Sequence, residues 1–203
     1  VKKGENMEDL SFLTIKNKRN FTNWLKIIKP FLESKEFQRR KLLFHHENQS
    51  LWHHCVKVSF MAYELALKYH ADEKTCAIAG LLHDFYEKAW YYTPDLEKLP
   101  KRFKENFINP KKTKLTQKHA FSHPYEAYKK ASQYFPTYMN EKIKDAIEKH
   151  MFPLSLLTKE KWPHYKESWI VILADKIDSF TNLPTPKEFL KYLGLTKRNR
   201  KKQ

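Results

Sequence analysis

The segment Ala79-Gly-Leu-Leu-His-Asp84 closes an apolar stretch with a histidine and an aspartate. The spacing of the apolar residues predicts a helix that begins at Asp72 or Glu73 and leads into this segment. On such a helix His83 and Asp84 follow small residues that lie one and two turns before them. Small neighbours let another helix or a metal ion approach closely, so the segment predicts a buried helix end with inward polar side chains.

Four more predicted helices each carry one metal-capable side chain on the same stripe as core residues. The first, over residues 51–69, spaces His54, Val58, Met61 and Leu65 at helical intervals, so His54 points inward with the apolar residues. On the second of these helices, which Ser122 caps and which runs to about residue 134, the inward residue is His123. The third helix runs from residue 139 or 140 to about 151 and has His150 at its end. The fourth covers residues 168–180 and carries Asp175.

The sequence as a whole predicts an all-α protein. Only three of its 203 residues are glycine, which disfavours sandwiches and barrels with their many tight turns. Further helices are predicted over residues 21–34 and 187–193, with loop and short helical pieces over residues 91–118. We expect an extension at residues 1–20, one domain at 21–195 with its motifs at 51–182, and a basic tail at 196–203. Met7 is a candidate initiator.

Each inward polar residue has a simpler interpretation of its own. A single inward histidine is usually a hydrogen-bonded core residue, and Asp175 could cap its helix or pair with Lys176. Five helices that each place a histidine or aspartate inward favour a shared centre, because unpaired buried charges cost several kcal/mol by rough estimate. Imidazole and carboxylate together suit Zn, Mn or Fe better than Ca.

The run His54-Cys-Val-Lys-Val58, the segment ending in His83-Asp84, and the later Leu173-Ala-Asp-Lys-Ile-Asp178 together resemble the HD superfamily of metal-dependent phosphohydrolases. His123 and His150 lie between them, in the order of the six-ligand, two-metal subgroup. The nearest subgroups are the bacterial hydrolases of symmetrical dinucleoside tetraphosphates and uncharacterised HD proteins with His-x-Phe-x-His and His-Met-x-Pro-Leu segments, here residues 119–123 and 150–154. The resemblance implies an all-α HD-domain helical bundle with a metal site in its core.

The resemblance also implies roles for individual residues. The metal ligands would be His54, His83, Asp84, His123, His150 and Asp175, with Asp84 bridging two ions. Catalytic roles are expected for Asp84, His119 and Lys88, and substrate contacts for Lys88, Tyr86 and Lys176. The family usually has a lysine three residues after the doublet's aspartate, where this chain has Glu87. His119 is alternatively an exposed loop residue, and Asp178 is expected to cap its helix or support a ligand.

The expected reaction is hydrolysis of a phosphate ester or anhydride of a nucleotide or dinucleotide by a metal-activated hydroxide. One or two divalent transition metal ions would be the cofactor, with Fe, Mn, Zn, Co and Ni all open. Aromatic residues at positions 86 and 90–92 could stack on a base, although ordinary packing is the favoured interpretation. The alternative function is a non-catalytic or regulatory HD domain that binds RNA, a ribosome or a nucleotide through a basic surface.

The formal charge of +16 arises from 39 Lys and Arg against 23 Asp and Glu. It favours a phosphorylated small molecule as substrate and allows nucleic acid as a partner, although a merely soluble lysine-rich surface is the simpler interpretation. A homodimer is left open. Cys55 and Cys76 show no partner motif, and neither a membrane span nor a signal peptide is recognised, so we expect a cytoplasmic protein with no membrane contact.

Overall fold

The computed structural model describes residues 10–46, 49–87, 119–154, 156 and 162–181, and these residues are mostly α-helical. This confirms the all-α prediction. In chain order the helices are α1 (Lys18–Leu32), α2 (Lys35–Gln38), α3 (Leu51–Tyr69), α4 (Glu73–Leu82), α5 (His119–Tyr134), α6 (Glu141–Lys149) and α7 (Lys166–Thr181). Short 3-10 helices follow at Arg39–Leu42 and Pro136–Tyr138. A small antiparallel pair of strands, β1 (Phe44–His46) and β2 (Gln49–Ser50), precedes α3, and the sequence pattern had not predicted it.

Four of the helices longer than one turn begin at a polar side chain that accepts a hydrogen bond from a backbone N–H of the first turn. These caps are Asn17 for α1, Ser50 for α3, Asp72 for α4 and Asn140 for α6. Each cap satisfies an N–H group that has no acceptor within its helix. The caps fix where α3, α4 and α6 start, and therefore where their inward histidines lie along each helix axis.

Helix α3 is central, and it packs against α4 and α7. Its close approach to α4 depends on Gly80, where an added Cβ would lie 3.1 Å from the Cα of Ser59 and 3.2 Å from the backbone oxygen of Val58. The Ser59 hydroxyl donates to the backbone oxygen of Ala77 at 2.7 Å and accepts from Trp24 Nε1 at 2.9 Å. Helices α1, α3 and α4 are thereby joined in the core.

The predicted helix bounds differ from the observed ones at several ends. The helix over residues 51–69 is confirmed, whereas the prediction that Ser122 caps α5 is wrong, because α5 begins one turn earlier, at His119. Ser34 does not end α1 but caps α2, accepting from the N–H of Phe37 at 3.1 Å. Helix α1 begins at Lys18, three residues before the predicted start at residue 21. The stretch 91–118, the helix at 187–193 and the tail at 196–203 lie outside the described residues.

Among the described residues, no helix is both long and apolar enough to cross a lipid bilayer. Cys55 and Cys76 are both buried and neither forms a disulfide.

Candidate metal centre

Four imidazole rings from four parts of the fold meet in the core as two pairs. Nε2 of His54 lies 3.1 Å from Nε2 of His83, and Nε2 of His123 lies 2.8 Å from Nε2 of His150. All four side chains are buried. They come from the first turn of α3, the residue after α4, the early part of α5 and the residue after α6.

Asp84 lies between the two pairs and turns one carboxylate oxygen toward each. Its Oδ2 is 3.8 Å from Nε2 of His54 and 3.7 Å from Nε2 of His83. Its Oδ1 is 3.2 Å from Nε2 of His123 and 3.5 Å from Nε2 of His150. Two sets of possible ligands therefore share one carboxylate.

Asp175 on α7 completes the first set. Its Oδ1 lies 3.3 Å from Nε2 of His54 and 3.6 Å from Nε2 of His83. The structure thus brings together all six residues that the sequence predicted as metal ligands. The first set consists of His54, His83, Asp84 and Asp175, and the second set consists of His123, His150 and the shared Asp84.

The spacing of these atoms fits divalent cations. Nitrogen and oxygen ligands lie about 2.0–2.2 Å from a zinc-like ion, so neighbouring ligands of one ion are about 3–3.6 Å apart. The distances from each histidine Nε2 to the other ligand atoms of its set fall close to this range, from 2.8 Å for His123 and His150 to 3.8 Å for His54 and Asp84. The lone pairs of two imidazole nitrogens this close would repel each other, so each pair of rings requires either a proton or a cation between them.

The imidazoles of His54, His83 and His150 are each held by a hydrogen bond at the other ring nitrogen. His83 and His150 each follow a helix, and each donates from Nδ1 to a backbone oxygen of the last turn, to Gly80 at 2.8 Å and to Ile147 at 2.7 Å. These oxygens have no partner within their helices, and the imidazoles satisfy them. Because a carbonyl oxygen only accepts, Nδ1 must carry the proton, which leaves the Nε2 lone pair directed at the centre.

His54 is held in the same way by a carboxylate. Its Nδ1 lies 2.8 Å from Oδ2 of Asp178, one turn after Asp175 on α7. Asp178 is buried, and its Oδ1 is 3.9 Å from Nζ of Lys57. This carboxylate supports the imidazole, one of the two roles expected for Asp178 from the sequence.

The charges in the centre shift the protonation of its members. Burial by itself lowers the pKa of His54, but the hydrogen bonds that its ring donates to Asp175 and Asp178 outweigh this effect and raise the pKa to about 9. Burial lowers the pKa of His150 to about 4, despite its hydrogen bond to Asp84. Burial would raise the pKa of Asp84 and Asp175, yet the surrounding histidines hold both well below the usual value. Without metal, the centre therefore contains two carboxylates and a protonated His54.

The remaining predicted site residues lie at the edge of the centre or outside the described part. Nζ of Lys176 is 2.7 Å from Oδ2 of Asp175, on the side away from the histidines that contact Oδ1. Tyr86 is only 1% exposed and packs its ring against His123 at 5.8 Å, which fits packing rather than stacking on a base. His119 is the first residue of α5, and its side chain lies outside the described atoms, as does Lys88.

Sequence reasoning missed two buried polar networks. Asp145 on α6 accepts hydrogen bonds from Oγ of Ser168 at 2.6 Å and from the N–H of His164 at 2.9 Å, which ties α6 to the start of α7. Glu87 is 2% exposed and pairs with Lys130 at 2.8 Å. A carboxylate in a mostly apolar segment was the available signal for Glu87, whereas Asp145 lies in a charged helix that offers no such signal.

Comparison with protein-family models gives a match to the HD domain over residues 51–179, which is more than half of the chain. The match contains all six residues of the centre together with Asp178. No curated protein and no solved structure matches the chain.

Proposed function

The chain belongs to the HD-domain family, and from this we propose that it is a metal-dependent phosphohydrolase that acts on a nucleotide or dinucleotide. The HD-domain family consists generally of metal-dependent hydrolases. The observation that carries the proposal is the position of Asp84, whose two oxygens face two separate histidine pairs at 3.2–3.8 Å.

The first histidine pair with Asp84 and Asp175 would hold one ion, and the second pair with Asp84 would hold another. When bound, the cations would act as Lewis acids that activate water and neutralise charge on a phosphoryl group. The protein contributes four imidazoles and two carboxylates, so two divalent ions would leave the centre net positive. A positive, buried centre attracts a phosphate group and disfavours a neutral substrate.

Residues beside the centre have proposed roles in binding the phosphate. Lys176 is 2.7 Å from Asp175 and partly exposed, so its ammonium group could turn from that carboxylate to a phosphoryl oxygen. His119 and Lys88 are proposed to assist the reaction as proton carrier and phosphate contact. The metals remain open among Fe, Mn, Zn, Co and Ni, because imidazole and carboxylate accept all of them.

A cluster of aromatic rings that includes Phe152 supports a nucleotide over a simple sugar phosphate. Phe152, two residues after His150, lies 4.8 Å from Trp162 and 5.0 Å from Trp169, measured between ring centroids. Trp162 is 61% exposed and Trp169 is 40% exposed. Exposed rings of this kind stack on nucleobases. Replacing Trp169 by alanine is expected to raise KM for a nucleotide and leave KM for a ribose phosphate unchanged.

The second candidate, a binding module for RNA or a ribosome, is favoured by the net charge of +16. It predicts affinity that falls steeply with salt and does not depend on Asp84. The complete set of six metal-capable residues favours the enzyme, because a domain used only for binding has no need to keep them.

The test is metal analysis of the purified protein, followed by phosphate release from a panel of nucleotides with Mn, Fe(II), Co or Zn. Asp84→Ala should abolish both metal binding and phosphate release, whereas Glu33→Gln, an exposed carboxylate on the surface, should change neither. Fewer than about 0.2 ions per chain, with no activity after reloading, would overturn the proposal.

A further inference from the structure

Glu87, three residues after Asp84, is a buried carboxylate that contacts α5 at two points. Its Oε2 lies 2.8 Å from Nζ of Lys130, and its backbone N–H donates to Oε1 of Glu126 at 3.3 Å. Lys130 follows His123 by seven residues, so both lie on the same face of α5, two turns apart. The segment that carries Asp84 is thus attached to the helix that carries His123.

Arg40 holds the same segment from the opposite side and is fully buried. Its Nη2 donates to the backbone oxygen of Phe85 at 3.2 Å and lies 3.9 Å from Oε1 of Glu87. Its guanidinium carbon is 3.5 Å from the centre of the Phe85 ring, and Nη1 donates to the backbone oxygen of Glu36. Arg40 therefore fixes the backbone directly after Asp84.

A buried ion pair is weak evidence for stability, because the cost of removing two charges from water offsets their attraction. An ion pair that joins two parts of a site can instead set their relative position. Within the described residues, α5 packs mainly on α6 and little on α4, whereas α3, α4 and α7 contact one another extensively. The position of His123 relative to Asp84 therefore depends on the links through Glu87 more than the position of His54 does.

From these contacts we propose that Glu87 is a positioning residue for the second ligand set, formed by Asp84, His123 and His150. Held between Arg40 and Lys130, it keeps Oδ1 of Asp84 within 3.2 Å of Nε2 of His123. The proposal rests on the proposed two-metal function. It assigns a role to the residue that stands where the resemblance places a lysine, and that role is to hold α5 rather than to contact phosphate.

The test compares metal binding to the wild-type protein and to Glu87→Gln by calorimetry with Mn or Co, without substrate. The substitution keeps the shape of the side chain and removes its charge. We expect two ions in the wild type and, in Glu87→Gln, a first ion of unchanged affinity with a second ion weakened about 10–100-fold. Lys130→Gln, whose side chain is 26% exposed, should give the same pattern, and Lys130→Arg should retain both ions.

A matched control separates positioning from general stability. Lys142→Gln breaks a Lys–Glu pair of the same 2.8 Å length, to Glu167 between α6 and α7. It should lower the thermal midpoint without changing the ratio of the two metal affinities. Two results in Glu87→Gln and Lys130→Gln would overturn the role of Glu87. One is an equal weakening of both ions, and the other is a lower thermal midpoint with both metal affinities unchanged. If the wild-type protein does not bind two ions, that result would instead refute the proposed function itself.

Discussion

Asp178 lies 2.8 Å from Nδ1 of His54, although 124 residues separate them in the chain. The contact joins the beginning of α3 to the end of α7 and leaves Nε2 of His54 directed at Asp84 and Asp175. Mutation of a supporting carboxylate of this kind typically weakens metal binding about 10–100-fold. We therefore expect Asp178→Ala to weaken the first ion by about this factor while the protein stays folded, and titration with Co or Mn measures it.

Asp178→Asn provides the control for that experiment, because an amide oxygen still accepts from Nδ1 without the negative charge. It should bind metal with an affinity between those of the wild type and the alanine variant. An alanine variant that binds the first ion as tightly as the wild type would show that Asp178 does not support His54.

The close approach of α3 and α4 predicts a large effect from a small substitution. In Gly80→Ala the new Cβ would lie 3.1 Å from one backbone atom of α3 and 3.2 Å from another, so that backbone must give by a few tenths of an ångström. We expect a loss of about 1–3 kcal/mol in the free energy of unfolding, measured with urea. Lys74→Ala on the exposed side of α4 should change it by less than about 0.5 kcal/mol. Equal effects would contradict the tight packing.

The hydrogen bonds that Asp145 accepts join α6 to the start of α7. Its removal in Asp145→Ala would leave the buried Ser168 hydroxyl and the N–H of His164 without their acceptor. A buried group left unsatisfied costs about 1–3 kcal/mol, so we expect destabilisation of that order. Asp145→Asn retains an acceptor oxygen and should lose less. If the asparagine and alanine variants unfold at the same urea concentration as the wild type, the network contributes nothing.

The pKa of His54 predicts how the stability of the metal-free protein depends on pH. Since this pKa is raised from 6.5 to about 9 in the folded state, the folded protein binds a proton that the unfolded chain releases. The resulting stability, of the order of a few kcal/mol, is fully present below about pH 6.5 and is lost as the pH rises through about 9. Urea unfolding in the presence of a chelator should show this decline.

Replacing the titrating ring gives the control. His54→Gln should remove the decline between pH 6.5 and 9. A variant with the same alkaline loss as the wild type would assign that loss to another group.

The sequence allowed the fold class to be predicted, and it also indicated which six polar side chains point into the core, because both leave local signatures. Helix α3 was predicted to the residue, since a regular apolar stripe extends over its whole length. The start of α5 was placed wrongly because Ala120 and Phe121 suit a helix as well as a loop, so Ser122 looked like a cap. The link from Arg40 to Phe85 joins residues 45 apart through a backbone oxygen, and no sequence pattern encodes such a contact.

The most direct test of the account is anomalous X-ray diffraction from crystals of the protein loaded with Mn or Zn. We predict two anomalous peaks on either side of the Asp84 carboxylate, about 3.5–4 Å apart, one near His54 and His83 and the other near His123 and His150. The absence of any peak at Asp84, or peaks only at surface residues, would contradict the claim that these side chains form a two-metal centre.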